Sequence, residues 1–383
     1  MHLSLSADQE LLRDGIARLL ANYTPASGHD RADWRALWRA LAEGGWLAVA
    51  APEASGGMEL GADSIGLLAL ELGRAAASAP FVEAAVTSIS LIAALATPNR
   101  REEWLPAIIA GEMLTVPLLE QTIASGPGAP LADVRKVDGG WRVSGAPVLV
   151  RWGDVADSFL VPVTCEGGRL ALARVGRDAG GVAINPYPTI ETAQSCRLQL
   201  SDVFVGEDDL VDRGDVGVAW AMARDRAIGF ACNDAVGGME RLLQLTAQYL
   251  ETREQFGRKL SANQALEHRV ARMAIATEEA RGIALYAVLA GDEDGAVLHA
   301  AAGAAKARIG TAARFVAHNA VQLHGGMGVS EETVVHLFFK RLMAFENWLG
   351  TTTQYAEEVA ERLRATRGSQ SVIDLVNRAQ VAA

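Results

Sequence analysis

Apolar residues recur at helical spacing in the first part of the chain. Ser6 and Gln9 form the capping-box pattern S-x-x-Q, which predicts a helix start ahead of an apolar stripe. That stripe consists of Leu11, Leu12, Ile16, Leu19 and Leu20. Asp33 is expected to cap a second helix. Further helical segments are expected at 63–77, 81–96 and 101–109. Residues 1–112 are therefore predicted to form an N-terminal α-helical domain.

The pattern changes after Gly111 to short alternating runs, which are typical of strands. Two such runs, 134–137 and 141–144, flank Asp138 and Gly139, and this arrangement predicts a hairpin. Further strands are expected at 158–163, 170–175, 182–184 and 197–205. Residues 113–215 are therefore predicted to form a middle β-barrel domain.

Helical periodicity returns at Val216 and continues to the end of the chain. A long helix ends near Arg253, and three more are expected at 264–289, 296–322 and 338–365. Gly237 and Gly238 lie inside the first of these helices, where glycine usually indicates close packing on a neighbour or a ligand. Residues 216–383 are thus predicted to be a C-terminal four-helix bundle. The predicted fold class is α+β multidomain.

Composition and charge exclude several classes of function. The formal net charge of −11 over 383 residues argues against nucleic-acid binding, which needs a basic face. Three widely separated cysteines form neither a metal-ligand spacing nor a disulfide framework, and they favour a reducing, cytoplasmic location. The polar N-terminus predicts no signal peptide. The apolar stretch 81–96 is too short to span a bilayer, so no membrane partner is expected.

Two motifs at helix ends carry the candidate chemistry. The run 253–257, R-E-Q-F-G, ends the long helix and presents a fixed cation. The run 322–328, Q-L-H-G-G-M-G, closes a later helix with glycines that permit positive φ and close backbone approach. A guanidinium together with a glycine-rich backbone loop suits a pyrophosphate or an adenylate. The alternative is that both runs are ordinary helix ends on a bundle.

The pair of motifs, R-x-x-F-G followed by A-V-Q-L-H-G-G-x-G, resembles the C-terminal domain of the acyl-CoA dehydrogenase family. The resemblance implies FAD as cofactor and α,β-desaturation of an acyl-CoA thioester. It also implies that both motifs bind the pyrophosphate and adenosine of a neighbouring subunit's FAD. The implied cofactor-binding residues are Arg253, Gln255, Phe256, Gln322, Gly325, Gly326, Thr351 and Thr353. For the two threonines, the alternative is capping or turn chemistry after Gly350.

The catalytic carboxylate of the family is missing from both positions where the resemblance would place it. Leu349 stands directly before Gly350, where a glutamate belongs, and leucine accepts no proton. The second family position falls near Ala227. Asp225 is a weaker candidate, because it lies two residues away and its simpler interpretation is an acidic residue in the first turn of a helix. Asp234 and Glu346 are interpreted as solvated or paired charges.

The part of the family site that holds the isoalloxazine ring is also altered. The corresponding runs are 118–121 and 148–151, in which the hydroxyl and tryptophan positions of the family are largely replaced. The chain therefore resembles the subunit of heteromeric members that completes the adenosine pocket across the interface. Around 227–238 and 320–328 it is also similar to the small subunit of pimeloyl-CoA dehydrogenase. We expect a paralogous subunit in an α2β2 heterotetramer, with electron-transfer flavoprotein as the acceptor. The alternatives are a self-sufficient homo-oligomer using an unrecognised carboxylate, a non-catalytic scaffold and an oxygenase-like relative.

Overall fold

The N-terminal part of the chain is helical, as predicted. The computed structural model describes residues 5–27, 33–119, 132–191 and 193–367. The capping box is formed, because Gln9 N donates to Ser6 Oγ over 3.2 Å and Ser6 N donates to Gln9 Oε1 over 3.1 Å. The helices are α1 (Ala7–Leu20), α2 (Trp34–Glu43), α3 (Ala62–Arg74), a π-helical segment (Phe81–Ser88), α4 (Ile89–Leu95) and α5 (Pro98–Ile109).

In the middle part, the described residues form one eight-stranded mixed sheet. Its strands are β1 (Thr115–Pro117), β2 (Ala132–Val137), β3 (Gly140–Val150), β4 (Ser158–Thr164), β5 (Leu170–Gly176), β6 (Val182–Tyr187), β7 (Ser195–Gly206) and β8 (Leu210–Val211). The pairing order is β6-β7-β3-β2-β4-β5-β8, and β1 pairs with β4. The predicted hairpin joins β2 to β3 through Gly139, whose φ of 74° suits the turn. Glu120 and Gln121 of the predicted ring-site loop lie outside the described residues.

The C-terminal part is a helical bundle with one small hairpin. Its elements are α6 (Val216–Thr252), β9 (Glu254–Gln255), β10 (Arg258–Lys259), α7 (Gln264–Leu289), α8 (Gly295–His324), α9 (Gly326–Val329), α10 (Val335–Asn347) and α11 (Thr352–Arg367). The predicted three-part fold class is therefore confirmed. The element type changes between Ile109 and Thr115 and again between Val211 and Val216. The domain boundaries at 112 and 215 stay predictions.

The prediction of one continuous helix over 338–365 was wrong. The chain leaves helical geometry between α10 and α11, where Leu349 has a φ of 60° and Gly350 a φ of 109°. An α-helix needs φ near −63° at each position, so these two residues end one helix before the next begins. The resulting turn lies at the family base position.

Close backbone contact between α3 and α6 fixes the N-terminal helices against the bundle. A Cβ at Gly237 would lie 1.9 Å from the carbonyl oxygen of Leu70, and a Cβ at Gly73 would lie 1.8 Å from that of Asp234. Glycine is therefore required at both positions, as expected for Gly237 from its place inside a helix. Among the described residues, no helix is long and apolar enough to cross a membrane.

Candidate functional site

The first candidate motif forms an exposed hairpin at the end of α6. The helix ends at Thr252, and Leu260 N donates to the carbonyl oxygen of Arg253 over 2.9 Å, which closes the hairpin. Phe256 lies at its tip with 97% of its surface exposed and a φ of 55°. Arg253 and Gln255 are also exposed. A large aromatic ring held in solvent by a strained backbone indicates a contact made with another molecule.

The second motif lies at the end of α8 and leaves open space in front of its backbone. Gln322, Gly325 and Gly326 are exposed, and Gly325 has a φ of 61° and a ψ of −136°, which favour glycine. A Cβ built on Gly325 or on Gly326 would meet no atom within 4 Å. The short helix α9 follows at once, so the expected glycine-rich loop is a tight helix-to-helix turn.

Tyr249 and His324 bring the two motifs together. Their rings stack with centroids 4.4 Å apart, and the Tyr249 hydroxyl donates to the carbonyl oxygen of His324 over 3.5 Å. Burial lowers the pKa of His324, whose Nδ1 lies 2.8 Å from the carbonyl oxygen of Ala320. The ring therefore packs as a neutral group. We call the hairpin 253–259 and the turn 322–328 together the outer site.

The two threonines of the predicted set lie at the start of α11. Thr351 forms a capping box with Gln354: Gln354 N donates to Thr351 Oγ1 over 3.2 Å, and Thr351 N donates to Gln354 Oε1 over 2.8 Å. Thr351 therefore performs the capping role that the sequence left open. Thr353 is exposed. Whether either residue contacts a cofactor stays a prediction.

Buried cations hold the turn at the family base position. Leu349 is 2% exposed, and its carbonyl oxygen accepts hydrogen bonds of 2.9 Å from both Arg224 Nη2 and the Tyr355 hydroxyl. Lys306, which is 1% exposed, donates to the carbonyl oxygens of Phe345 and Trp348. These bonds satisfy backbone acceptors that the break between two helices leaves without helical partners. The turn offers an aliphatic side chain and engaged carbonyls.

Asp225 does not lie in the first turn of a helix, so that interpretation was wrong. Helix α6 begins at Val216, and Asp225 is 4% exposed inside it. Its Oδ2 lies 3.0 Å from His299 Nδ1, and its Oδ1 lies 3.9 Å from Arg224 Nη1. Ala227, the neighbouring family position, is completely buried. Asp225 is thus a paired internal carboxylate.

Arg151 is the centre of a second, buried cluster. Its Nη1 donates to Glu83 Oε1 over 2.6 Å, and its Nε and Nη2 donate to the two oxygens of Glu191 over 2.9 and 3.0 Å. Its guanidinium carbon lies 4.4 Å from the ring centroid of Trp348. The four residues come from the π-helical segment, the end of β3, the loop before β7 and the turn after α10. Arg151 therefore joins all three parts of the chain.

A small cavity lies among these groups. Its volume is about 30 Å³, and its lining includes Glu83, Arg151, Glu191, Asp234, Arg341 and Trp348. Asp234 pairs with Arg341 through two hydrogen bonds, one of them 2.9 Å long. Glu346 pairs with Arg314 outside this cavity, so both carboxylates are paired, which was one of their two expected states. We call this space the inner cavity.

Neither Glu83 nor Glu191 is among the site residues predicted from the sequence. Glu83 is the one charged residue in the apolar stretch 81–96, and Arg151 directly follows the apolar run 148–150. A lone charge in an apolar segment indicates a buried partner of opposite sign. This pattern could have indicated that Glu83 and Arg151 are each buried beside an opposite charge. It could not have shown that the two side chains contact each other.

Comparison with known proteins decides the family. The sequence model for "Acyl-CoA dehydrogenase, N-terminal domain" matches residues 6–112, and the model for "Acyl-CoA dehydrogenase, C-terminal domain" matches residues 218–364. The chain belongs to the acyl-CoA dehydrogenase family. Acyl-CoA dehydrogenases are FAD-dependent oxidoreductases that act on a CH–CH bond.

Relatives are similar over nearly the whole chain. Acyl-CoA dehydrogenase FadE27 of Mycobacterium tuberculosis is 29% identical over 87% of this chain and 89% of its own length. One chain in the crystal structure of the ChsE4–ChsE5 complex from the same organism is 26% identical, with a TM-score of 0.84 over 97% of this chain and 100% of that one. A chain of the Tcur3481–Tcur3483 steroid ACAD is 27% identical, with a TM-score of 0.82 over 94% and 99%.

The two regions differ in how well they fit FAD. The outer site suits the pyrophosphate and adenosine end, because it combines an exposed guanidinium, an exposed aromatic ring and an open glycine backbone. The inner cavity does not fit the three-ring isoalloxazine. Its volume of about 30 Å³ leaves room for no more than small solvent molecules, and its lining combines apolar side chains with the ion pairs Arg151–Glu191 and Arg341–Asp234.

Proposed function

We propose that this chain is the β-type subunit of an FAD-dependent acyl-CoA dehydrogenase, assembled with a paralogous subunit as an α2β2 heterotetramer. In this assembly the outer site binds the pyrophosphate and adenosine of FAD held by the partner. Arg253, Gln255, Phe256, Gln322, Gly325 and Gly326 are the proposed contacts. When bound, FAD supplies the hydride acceptor for α,β-desaturation, and the partner supplies the carboxylate base.

The observation that carries the proposal is the contrast between an open outer site and a closed inner cavity. Arg151 ends the run that resembles the ring-binding segment, and Trp348 precedes the base position. In the structure these two residues stack on one another, with 4.4 Å from guanidinium to ring centroid. The space where a ring and an acyl chain would have to meet is therefore occupied by protein and ion pairs.

The residues near the base position give independent support. A base for α-proton removal must be a carboxylate placed beside the substrate in a dry pocket. Leu349 has no titratable group, and the turn around it is fixed by Arg224, Lys306 and Tyr355. Asp225 is engaged by His299. Neither family position therefore offers a base from this chain.

Two neighbouring structures support the heteromeric assembly. One is a complex of ChsE4 with ChsE5. The other pairs Tcur3481 with Tcur3483 and is a steroid ACAD. By analogy we propose a bulky acyl-CoA substrate, such as a steroid side chain or a dicarboxylic acyl chain. Electron-transfer flavoprotein as acceptor and a cytoplasmic location remain part of the proposal, carried over from the family.

The test is flavin content with and without the partner. The chain is purified alone and after co-expression with a paralogous subunit that carries glutamate at a family base position, and visible absorbance and native mass are measured. We expect a colourless chain alone and a yellow heterotetramer with about one flavin per two chains. A yellow chain alone, with one flavin per chain and bleached by an acyl-CoA, would establish the self-sufficient homo-oligomer instead.

A variant at the outer site distinguishes a loss of cofactor binding from a loss of subunit assembly. Arg253→Ala should give a heterotetramer of unchanged mass that retains less flavin than wild type after dilution. A variant complex with full flavin content would show that the outer site does not contact the cofactor, and the proposal would fail at that point.

A further inference from the structure

The inner cavity holds an unequal number of positive and negative side chains. Arg151 and Arg341 each make a two-pronged contact with one carboxylate, Glu191 and Asp234 respectively. Glu83 is a third carboxyl group and meets Arg151 through Oε1 alone. Within the described part of the chain, Glu83 Oε2 is buried without a hydrogen-bond partner.

This arrangement cannot hold five full charges at low cost. Three carboxylates and two guanidiniums leave one unbalanced negative charge at this cavity, and Glu83, which is 3% exposed, is the most deeply buried of the three carboxyl groups. A buried charge without a counter-charge is neutralised by taking up a proton more cheaply than it is tolerated. Glu83 receives one hydrogen bond from an arginine, whereas Glu191 and Asp234 each receive two, so Glu83 is the carboxyl group that takes up a proton most readily.

We infer that the inner cavity is a proton-binding site, in which Glu83 carries a proton at neutral pH and this proton controls the docking of the N-terminal helices on the rest of the chain. The inference does not depend on the subunit role proposed above. It gives a role to a buried cluster that neither the outer site nor the base position requires.

The two glutamates that share Arg151 have pKa values shifted in opposite directions. Burial raises the pKa of Glu83, and the opposing attraction of Arg151 does not cancel that effect. Burial acts on Glu191 in the same direction, but its two-pronged pair with Arg151, together with the positive charge of Arg341, outweighs burial and lowers its pKa. Of the two carboxyl groups that share Arg151, Glu191 is therefore the one more readily ionised and Glu83 the one that more readily holds a proton. The other charged groups facing the cavity, Asp234 and Arg341, pair with each other.

Because Glu83 lies where the N-terminal helices contact the β domain, its protonation state affects how firmly these two parts pack together. Glu83 lies on the π-helical segment, Arg151 at the end of the β3 run, and Trp348 between α10 and α11. Ionisation of Glu83 would add a second anion at Arg151 with no new cation to balance it. We therefore expect the contact between the N-terminal helices and the β domain to weaken when the proton leaves.

The sign of the pH dependence follows from the raised pKa. A group whose pKa is higher in the folded chain stabilises the fold below its unfolded pKa, which for glutamate is about 4.3. That stabilisation is lost as the pH rises through the folded value. For Glu191, whose pKa is lowered, the stabilisation is present at higher pH and is lost as the pH falls.

The experiment compares Glu83→Gln with Glu191→Gln in the full chain, by thermal unfolding at a series of pH values from 5 to 8.5. Glutamine mimics a protonated carboxyl. We expect Glu83→Gln to unfold close to the wild-type temperature at low pH and several degrees above it at high pH. Glu191→Gln should unfold several degrees below wild type at neutral and high pH.

Two results would overturn the inference. If Glu83→Gln lowers the unfolding temperature at high pH as Glu191→Gln does, Glu83 is an ionised partner of Arg151. Infrared spectroscopy gives a second measurement on the folded wild-type chain: a carboxylic-acid C=O band at neutral pH should vanish in Glu83→Gln. A wild-type spectrum without a band that this substitution removes would show that Glu83 holds no proton.

Discussion

The outer site and the inner cavity differ in the exposure and pairing of their charged and aromatic side chains. At the outer site, Arg253 and Phe256 are exposed, and Phe256 is held at a φ of 55° with 97% of its surface in solvent. In the inner cavity, Arg151 is largely buried, hydrogen-bonded to the carboxyl groups of Glu83 and Glu191, and in contact with the ring of Trp348. One region leaves its groups available to another molecule, and the other has satisfied them internally.

Under the proposed function, this difference corresponds to one fold that keeps half of a cofactor site and lacks the other half. The outer half needs only a cation, a ring and open backbone on the surface, and no interior space. The inner half needs an empty cavity, which is costly to keep in a close-packed protein when no ligand fills it. Ion pairs and Trp348 occupy that space here.

The largest expected effect comes from removing the central cation of the inner cavity. Arg151→Ala leaves Glu83 and Glu191 buried without their partner, and breaking such a pair costs about 3–5 kcal/mol of unfolding free energy. The measurement is urea unfolding of the full chain. Arg135→Ala is the matched control, because Arg135 and Asp202 form an exposed pair on the same sheet, worth about 0–1 kcal/mol. Equal losses in both variants would show that the cluster does not hold the domains together.

A smaller effect, on binding and not on folding, is expected at the outer site. Arg253→Ala should remove a hydrogen bond to a charged group worth about 1.5–3 kcal/mol, so FAD should bind the heteromer about tenfold to a hundredfold more weakly. Flavin release on dilution measures this. Arg241→Ala is the control, because Arg241 lies earlier on the same helix and bonds to Gln244. A loss of flavin in the control as well would point to an indirect effect of charge.

The smallest effect tests whether Phe256 is held in strain for a partner. Phe256→Gly relieves a left-handed backbone conformation that costs a non-glycine residue roughly 1–2 kcal/mol, while glycine itself costs about 0.5–1 kcal/mol in the unfolded chain. The isolated chain should therefore keep its stability or gain up to about 1 kcal/mol. The heteromer should retain less flavin.

The control variant on this hairpin, Gly257→Ala, should lower the stability of the chain. Gly257 has a φ of 75° with open space around it, so Gly257→Ala introduces strain without a clash and should cost about 1 kcal/mol. Chemical unfolding of both variants gives the comparison. A stability loss in Phe256→Gly would mean that the exposed ring stabilises the hairpin within its own chain.

Much of the fold could be predicted because its determinants are local. The capping box at Ser6, the turn at Gly139 and the alternation along the strands each depend on residues close together in the chain. The prediction of one helix over 338–365 was wrong because the break in it depends on contacts that are not local. Its periodicity continues through Leu349, and the bonds from Arg224 and Lys306 that hold the break come from distant helices.

The sequence by itself determined the three-part order of elements, the two motifs of the outer site and the absence of a carboxylate at Leu349 and Ala227. Only the tertiary structure decided that Tyr249 stacks on His324 and that Glu83 and Glu191 converge on Arg151. Secondary structure follows periodicity over a few residues, which the sequence displays directly. The pairing of buried charges depends on which distant segments the fold brings within a few ångströms, and no local pattern records that distance.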